Sequence, residues 1–441
     1  MKLATQKRLP MLPSRGRDCT VGKTLAALLC SFCVSISLAA EPNAIATREL
    51  GGHLHEPLPA SSALSWPEVI ETTVINFPGF IELAARSAEA AAFKDRASTW
   101  LAGPTSIFLA LQSDKPLDNQ DLREYEAGFG LPLWRPGQRE AARLLAVAAN
   151  SETEAARAAL RHEVIGLLRL ALWDIKRAEI GMGLAEDQVA AAAERLRVVE
   201  RRYAAGDLPL TDTMLARSAM MEREVAVVNA EAELLDAERA YRSLTGLDVR
   251  PADFAESLSS REHFEASHPL LALADTEVSR YQATRDLVDK SARGMPQLTI
   301  GTRRQRDPFS SFFNDSLGVG VSVPFGGRSH RNAQVATAGR TVAQAQAARA
   351  SVHRELDLEL HEAEHTLSVV NESLALAQER RALAARHLEM SEIAFAQGEI
   401  PLFELLRQDE AAMMAERDVA RLEVDLQRAI ALINQAVGEW P

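Results

Sequence analysis

The chain has 441 residues with a formal net charge of −12, and only 5% of its residues are aromatic. This length fits two or three domains or one elongated domain, and the acidic balance argues against nucleic-acid binding, which needs clustered Lys and Arg. A composition rich in Ala, Leu, Glu and Arg is typical of long helices.

Residues 1–39 are predicted to be a signal peptide. A basic segment precedes an apolar stretch from Thr24 to Ala40, and Ser37-Leu38-Ala39 has the small-x-small pattern that signal peptidase cleaves. A retained membrane anchor is the alternative, but the apolar span is shorter than the ~18 residues typical of a spanning helix. The leader carries six basic residues and one acidic residue, so its removal would take the net charge from −12 to −17.

The cysteines of the chain all lie in this leader: Cys19, Cys30 and Cys33. The mature chain is therefore expected to have no disulfide and no cysteine-bound metal. Neither Cys30 nor Cys33 follows the Leu-small-small sequence of a lipoprotein signal, which argues against lipidation.

Helices are predicted over most of the remaining chain. After a linker at 40–63, a helical segment runs from Leu64 to Trp100 and breaks near Phe77-Pro78. Proline is then absent from 137–208 and again from 325–400. A single helix over about 70 residues would be on the order of 100 Å long. We expect three glycines to loosen these two helices: Gly181, Gly183 and Gly339.

Two short segments, 125–133 and 317–325, alternate between apolar and small or polar residues, as strands do. Each has an earlier partner strand, at Ser106–Gln112 and Gln297–Arg304. An apolar outer face with a small, polar inner face is typical of a membrane barrel, although a soluble sheet is the alternative. Four strands cannot close a barrel, so several chains must contribute. The side chains predicted to face lipid are Tyr125, Phe129, Leu131, Val319, Val321 and Val323.

Each long helix ends in a Gly-x-x-Pro-Leu turn that starts a further helix, at about 209–245 and 401–437. The first of these carries apolar residues at coiled-coil spacing: Met214, Met221, Val225, Val228, Ala232 and Leu235. Such a stripe needs a partner helix, and the long preceding helix is the expected one.

The chain is an internal duplication. An offset of 192 residues, without a gap, places 104–246 on 296–438 and aligns Gly206 with Gly398 and Pro209 with Pro401. A common register over this length indicates two copies of one supersecondary unit. The expected organisation is a first repeat at 64–246, a linker at 247–267, a second repeat at 268–438 and a short end at 439–441.

This order of elements resembles that of the TolC-like outer-membrane efflux proteins, over residues 64–438. The most specific motifs are Arg202-Tyr203-x-x-Gly206-x-x-Pro209-Leu210-Thr211-Asp212 and Phe395-x-x-Gly398-x-x-Pro401-Leu402-Phe403-Glu404. The strand ends Leu131-Pro132-Leu133-Trp134 and Val323-Pro324-Phe325-Gly326 support them.

The resemblance implies a mainly α fold with a small membrane β-barrel. A homotrimer would close one 12-stranded barrel in the bacterial outer membrane, and its helices would form a tunnel in the periplasm. A periplasmic adaptor protein and an inner-membrane pump would dock at the far end, on the tip turns of Gly206, Pro209, Gly398 and Pro401. Such a duct is passive, so no catalytic residue, cofactor or resident metal is expected.

The resemblance also indicates candidates for an entrance gate. The family pairs an Asp on the first tip, here Asp212 after Thr211, with an Arg and a Tyr on the second. The Arg position holds Ile400 and the Tyr position holds Phe395. Of the two positions of an acidic ring, one holds Glu404 and the other Arg407, which can pair at i, i+3.

One motif points elsewhere. His361-Glu362-Ala363-Glu364-His365 matches the H-E-x-x-H sequence of zinc peptidases, but its charged surroundings favour a solvated helix. Besides an efflux duct, two roles stay open: the outer-membrane component of a type I protein-secretion system, and a periplasmic coiled-coil scaffold. The sequence does not indicate which substrate is exported.

Overall fold

The structure is a computed structural model that describes residues 57–117 and 120–441. The predicted signal peptide and residues 40–56 of the predicted linker lie outside the described residues.

The described chain is built from seven helices and six strands. The helices are α1 (Trp66–Asn76), α2 (Gly79–Ser98), α3 (Gln138–Ala204), α4 (Leu210–Thr245), α5 (Pro269–Ser291), α6 (Arg328–Ala396) and α7 (Leu402–Ala436). The strands are β1 (Ala60–Ser61), β2 (Ser106–Ser113), β3 (Arg123–Pro132), β4 (Arg250–Pro251), β5 (Gln297–Arg306) and β6 (Asn314–Ser322). The predicted long helices, tip turns, later helices and four sheet strands are confirmed. The pair formed by β1 and β4, in parallel, was not predicted.

The two long helices, α3 and α6, contain 67 and 69 residues and run without a break. The expectation that three glycines would loosen them is therefore wrong. A Cβ at Gly181, Gly183 or Gly339 would meet nothing within 4 Å, so these glycines lie on open surface. Glycine costs a helix roughly 1 kcal/mol relative to Ala. Packing along the rest of each helix outweighs that cost.

The sheet has the strand order β2-β3-β5-β6, and every neighbouring pair is antiparallel. Strands β3 and β5 come from different repeats, and Phe129 lies opposite Ile300. The two halves of the chain are thus joined edge to edge in one sheet. Strands β2 and β6 are its two free edges within the described chain.

The helices follow the same order below the sheet. Helices α2, α3, α5 and α6 pack side by side, and further down α3 pairs with α4 while α6 pairs with α7. Helix α3 also packs against α7. The main core lies midway along α3, where Val69 and Ile70 of α1 meet Ile165, Leu168 and Leu172. Helix α1 has no helical counterpart in the second repeat, where the aligned residues 258–268 lie outside helices and strands.

Helix α4 packs on α3, the predicted partner, but it does not bury the predicted seam. Four residues of its predicted seam, Met214, Met221, Val225 and Val228, are between 58% and 64% exposed. Helix α4 instead packs on α3 through a second stripe, which includes Ala216 and Tyr241. A helix with two apolar stripes can bury either of them, and its packing in the tertiary structure decides which stripe is buried.

None of the helices that the structure describes is long and apolar enough to cross a membrane.

Candidate functional site: the helical tips and the sheet

Both tip turns have the same hydrogen-bonded geometry. Gly206 has φ +84°, its N–H donates to the Tyr203 carbonyl at 2.9 Å, and the Asp207 N–H donates to the Arg202 carbonyl at 2.9 Å. This is a Schellman ending, which needs a residue in the left-handed conformation that glycine adopts without steric cost. Pro209, with φ −76°, then caps α4.

The second tip repeats the first. Gly398 has φ +79°, its N–H donates to the Phe395 carbonyl at 3.0 Å, and the Glu399 N–H donates to the Ala394 carbonyl at 2.9 Å. Pro401 caps α7 with φ −75°. The four predicted contact residues Gly206, Pro209, Gly398 and Pro401 are all exposed. The helices therefore form two similar helical hairpins, hairpin 1 (α3–α4) and hairpin 2 (α6–α7), and the turn at the tip of each is exposed.

The two hairpins meet just behind their tips in a small apolar cluster. Its buried members are Leu196, Val199, Ala216, Phe395, Leu402 and Leu405. Ile400 packs against this cluster. It occupies the position at which the TolC-like proteins have the Arg of their entrance gate. Phe395 and Ile400 therefore make apolar contacts at the two positions where the resembled family has the Tyr and Arg of its gate.

The predicted gate residues are in different situations. Asp212 is half-buried, and its carboxylate makes no ion pair or hydrogen bond with another described residue, whereas Thr211 is exposed. Glu404 accepts from Arg407 Nη2 at 2.6 Å and from Gln408 Nε2 at 2.9 Å. The hydrogen bonds from Gln408 and Arg407 hold the pKa of Glu404 below its usual range. The i, i+3 pair foreseen from the sequence is present, so the carboxylate of Glu404 is ionised but partly neutralised.

The strongest polar contact behind the tips was missed by the sequence reasoning. Arg195 of α3 donates from Nη1 to Asp409 Oδ2 at 2.7 Å and from Nη2 to Oδ1 at 2.6 Å, and Asp409 lies on α7. Burial raises the pKa of Asp409, and Arg195 and Arg223 oppose that effect. One feature of the sequence could have indicated this contact. Arg195 lies seven residues, or about two helical turns, before Arg202 and is therefore on the same side of α3.

The sheet has one continuous apolar face, because antiparallel pairing lines up alternate residues. Ile107, Phe129, Ile300 and Val319 form one row across all four strands. Leu131, Leu298 and Val321 form part of a second row, and Tyr125 lies on the same face. Val323 follows the end of β6 and is exposed.

The opposite face of the sheet is polar and small. Arg303 forms ion pairs with Glu124 and Glu126 there, and Gly318 and Gly320 line the same side of β6. Phe108 is an exception that the sequence did not reveal. Its ring lies over Gly128, where an added Cβ would come within 2.6 Å of Phe108 Cζ. The glycine makes room for the aromatic ring.

The peptidase motif has no metal site around it. His361 and His365 are exposed on α6. Across the described residues, no group of three or more His, Cys, Asp or Glu side chains is arranged to hold a metal ion. A catalytic zinc site uses three protein ligands, so the pair alone does not support one.

Comparison with known proteins gave three kinds of match. Residues 262–439 match the family model described as outer membrane efflux protein. The cobalt-zinc-cadmium resistance protein CzcC of Cupriavidus metallidurans is 26% identical over 222 residues, which are 48% of this chain and 52% of CzcC. The chain thus spans about half the length of the curated relative it matches.

Solved structures match over most of the chain. The outer membrane protein VceC of Vibrio cholerae has a TM-score of 0.66 at 16% identity, covering 85% of this chain and 96% of VceC. The outer membrane channel CmeC of Campylobacter jejuni has a TM-score of 0.65 at 14% identity, covering 93% of this chain and 95% of CmeC. At these identities the likeness establishes the mainly α, duplicated fold.

Proposed function

We propose that the chain is a member of the outer membrane efflux protein family, whose model matches residues 262–439, and that it is the outer-membrane exit duct of a tripartite efflux system. In this role it is a passive, non-enzymatic channel that extends from the outer membrane into the periplasm. The observation that carries the proposal is the sheet with one apolar face and two free edges, above paired helices with exposed tips. The two repeats, 64–246 and 268–438, would each supply two strands and one helical hairpin.

The free edges support a ring of several copies. An open sheet edge cannot remain unpaired in lipid, so β6 of one copy would pair with β2 of the next. Three copies with four strands each supply twelve strands. A homotrimer therefore closes the barrel with every strand paired.

The exposed apolar stripes of the helices support the same assembly. On α6 the exposed residues Val369, Leu376, Leu383 and Met390 recur every seven positions. Met214 lies eight residues after Gly206, and Met390 lies eight residues before Gly398. The same agreement holds for Met221 with Leu383 and for Val228 with Leu376. Helix α4 of one copy and α6 of the next would thus meet in antiparallel register, level by level.

The ends of the sheet support a position within a bilayer. Trp100 is 90% exposed and Phe325 is 97% exposed, and both lie where the sheet joins the helices. Phe309 and Phe312 are exposed in the loop at the opposite end. Aromatic girdles at both edges of an apolar band are a feature of transmembrane barrels. The loop end would face the exterior and the helices the periplasm.

We propose divalent metal ions as the exported substrate. CzcC, the relative that supports this choice, is a cobalt-zinc-cadmium resistance protein. Selectivity would reside in the inner-membrane pump, with the adaptor protein joining the pump to the exposed tips. The type I protein-secretion role remains the alternative within the same architecture.

The test is export in a strain that lacks the native gene. Complementation with the full chain should restore growth in Co²⁺, Zn²⁺ and Cd²⁺ and lower the cell-associated metal. A matched strain would carry the chain with Val321→Arg, which is expected to fail to assemble. Rescue confined to hydrophobic drugs would contradict the metal proposal, and rescue of a secreted protein would favour the protein-secretion role. A water-soluble monomer would contradict the duct itself and favour a periplasmic scaffold.

A further inference from the structure

A groove lies between α2 and α3, in the part of these helices nearest the sheet. Its volume is about 920 Å³, and small buried side chains such as Ala90 and Ala146 form its floor. Its charged side chains are all basic, namely Lys94, Arg139 and Arg143, and none of the described residues that line it is acidic. The groove therefore combines an apolar floor with positive charge, which suits an amphipathic anion.

Neighbouring acids cancel little of this charge. Lys94 is exposed, and its ammonium makes no ion pair or hydrogen bond with another described residue. Arg139 donates to two carbonyls in the last turn of α2, at 3.2 and 2.8 Å, and these carbonyls carry no net charge. The guanidinium of Arg143 lies 3.7 Å from the carboxylate of Glu140, but both side chains are more than half exposed, so this pair is weak. The groove can therefore bind an anion from outside the chain.

The groove is part of a wider excess of positive charge just below the four-stranded sheet. Each of the four strands connects through a loop to a helix, and each loop with the nearest seven helical residues forms one segment: 92–105, 133–144, 285–296 and 323–334. Together these segments hold ten Lys and Arg but four Asp and Glu, in a chain whose net charge is −12. One level of an acidic molecule is therefore basic.

In the proposed duct, this level is the interface between the bilayer and the periplasm. The exposed Trp100 lies two residues beyond the end of α2, where the apolar face of the sheet begins. Lys94 is four residues before the end of α2, and Arg143 is five residues after the start of α3. These positions are about 6 and 8 Å below the helix ends. The headgroup layer of a bilayer is roughly 5–8 Å thick on each side, so both charges lie at the depth of lipid phosphates.

The groove is on the face of the helices that carries α1. Arg161 of α3 forms an ion pair with Glu71 of α1 at 3.1 Å. Arg143 precedes Arg161 by about five full helical turns and is therefore on the same side of α3. In a duct, α1 must lie outside the wall, because three copies of it inside would obstruct the passage. The groove therefore faces outward, on the same side as the surrounding lipid.

We propose that this groove binds the headgroup of an anionic phospholipid from the leaflet that faces the periplasm. The proposal rests on the proposed function as an outer-membrane duct. Lys94 and Arg143 would pair with the lipid phosphate, and the alanine floor would contact the glycerol region. Basic side chains at a membrane surface attract anionic lipid in this way. Three such grooves, one in each copy, would fix the height of the trimer in the bilayer.

The test is lipid binding by the purified, delipidated trimer, measured by native mass spectrometry. Phosphatidylglycerol, which is anionic, should bind about tenfold or more tightly than zwitterionic phosphatidylcholine with the same acyl chains. Lys94→Gln with Arg143→Gln should abolish that preference. The matched control is Arg197→Gln with Arg201→Gln, which removes two exposed positive charges near the tip of hairpin 1 and should leave the preference unchanged.

The outcomes separate the lipid site from the duct. Equal binding of the two lipids by the unmodified trimer would overturn the site, as would an equal loss in the control. Lys94→Gln alone breaks no contact within the described chain, so it should keep the trimer and weaken phosphatidylglycerol binding roughly fivefold. An unchanged affinity in this variant would also overturn the site. Displacement of the lipid by inorganic phosphate would mean that the groove binds a soluble anion instead. A water-soluble monomer would contradict the proposed function itself.

Discussion

His162 is a buried histidine that the fold holds in its neutral form. Arg169 donates to Gln435 Oε1 at 2.6 Å, so Gln435 presents its NH₂ group to His162 Nε2 at 3.0 Å. Nε2 must then accept, which places the ring proton on Nδ1. Burial, followed by the charges of His268 and Arg169, lowers the pKa of His162 to about 4. A protonated ring could not accept this hydrogen bond.

Acid should destabilise the helical region through this residue. In the unfolded chain the pKa of His162 is close to 6.5, so between pH 6.5 and 4 the unfolded state binds a proton that the folded state does not. The associated stability is present above pH 6.5 and is lost as the pH falls toward 4, by up to ~3 kcal/mol. His162→Gln should flatten the fall in thermal midpoint between pH 7 and 4. A pH profile parallel to that of the unmodified protein would contradict this assignment.

Glu404 and Arg407 make a second residue-level prediction, in the proposed trimer. Three copies of Glu404 would lie near the axis at the entrance, each partly neutralised by Arg407 at 2.6 Å. Glu404→Gln should weaken the block of single-channel current by multivalent cations. Arg407→Gln should strengthen it, because it leaves the carboxylate unpaired. If the two variants change the block in the same direction, the ring is not built from these residues.

The faces of β6 can be tested against each other. Val321 lies on the apolar face, so Val321→Arg should cost roughly 2–4 kcal/mol near the middle of a bilayer and prevent assembly. Gly318 lies on the polar face and is a better site for the opposite change than Gly320. A Cβ at Gly318 comes no closer than 3.9 Å to the Gly301 carbonyl, whereas at Gly320 it would lie 2.8 Å from Thr299 Oγ1. Gly318→Arg should keep the trimer and reduce conductance. The reverse pattern would mean that the faces are inverted.

The facing stripes of α4 and α6 predict a specific crosslink. The chain has no cysteine after Cys33, so introduced cysteines would be the only thiols in a processed protein. Val228→Cys with Leu376→Cys should form a disulfide between copies and give a trimer that resists SDS under oxidising conditions. The mismatched pair Val228→Cys with Leu383→Cys is displaced by one heptad, about 10 Å, which a disulfide cannot span. Equal crosslinking by both pairs would contradict the register.

The molecule as a whole should be a detergent-extracted trimer. Four strands with two free edges per chain are too few to close alone. Membranes extracted in a mild detergent should yield a particle of three chains by light scattering, with the detergent mass subtracted. A single chain that stays monodisperse in water would leave the apolar face of the sheet unexplained and would contradict the assembly.

Most features that could be predicted from the sequence depend on residues that are close together in the chain. The glycines at 206 and 398 and the alternation around Phe129 and Val321 act within a few residues, and the elements they predicted are present. The face of α4 that packs on α3 could not be predicted from the sequence, because the helix has two apolar stripes and only the tertiary structure determines which one is buried. Arg195 and Asp409 are 214 positions apart, and nothing local joins them. The Arg169–Gln435 contact that fixes His162 was hidden for the same reason.

Helix α1 determines whether the proposed ring is sixfold or threefold symmetric, which the number of strands alone does not. Six copies of a single repeat and three copies of the double repeat would each contribute twelve strands and six hairpins. The tips of the two repeats are nearly interchangeable, but only the first carries α1 packed on α3 and α4. The ring would therefore be close to sixfold at the tips and strictly threefold at the level of α1. A ring-shaped partner approaching along the axis would meet six similar hairpins first, and the three α1 helices above them would add a threefold feature that could orient it.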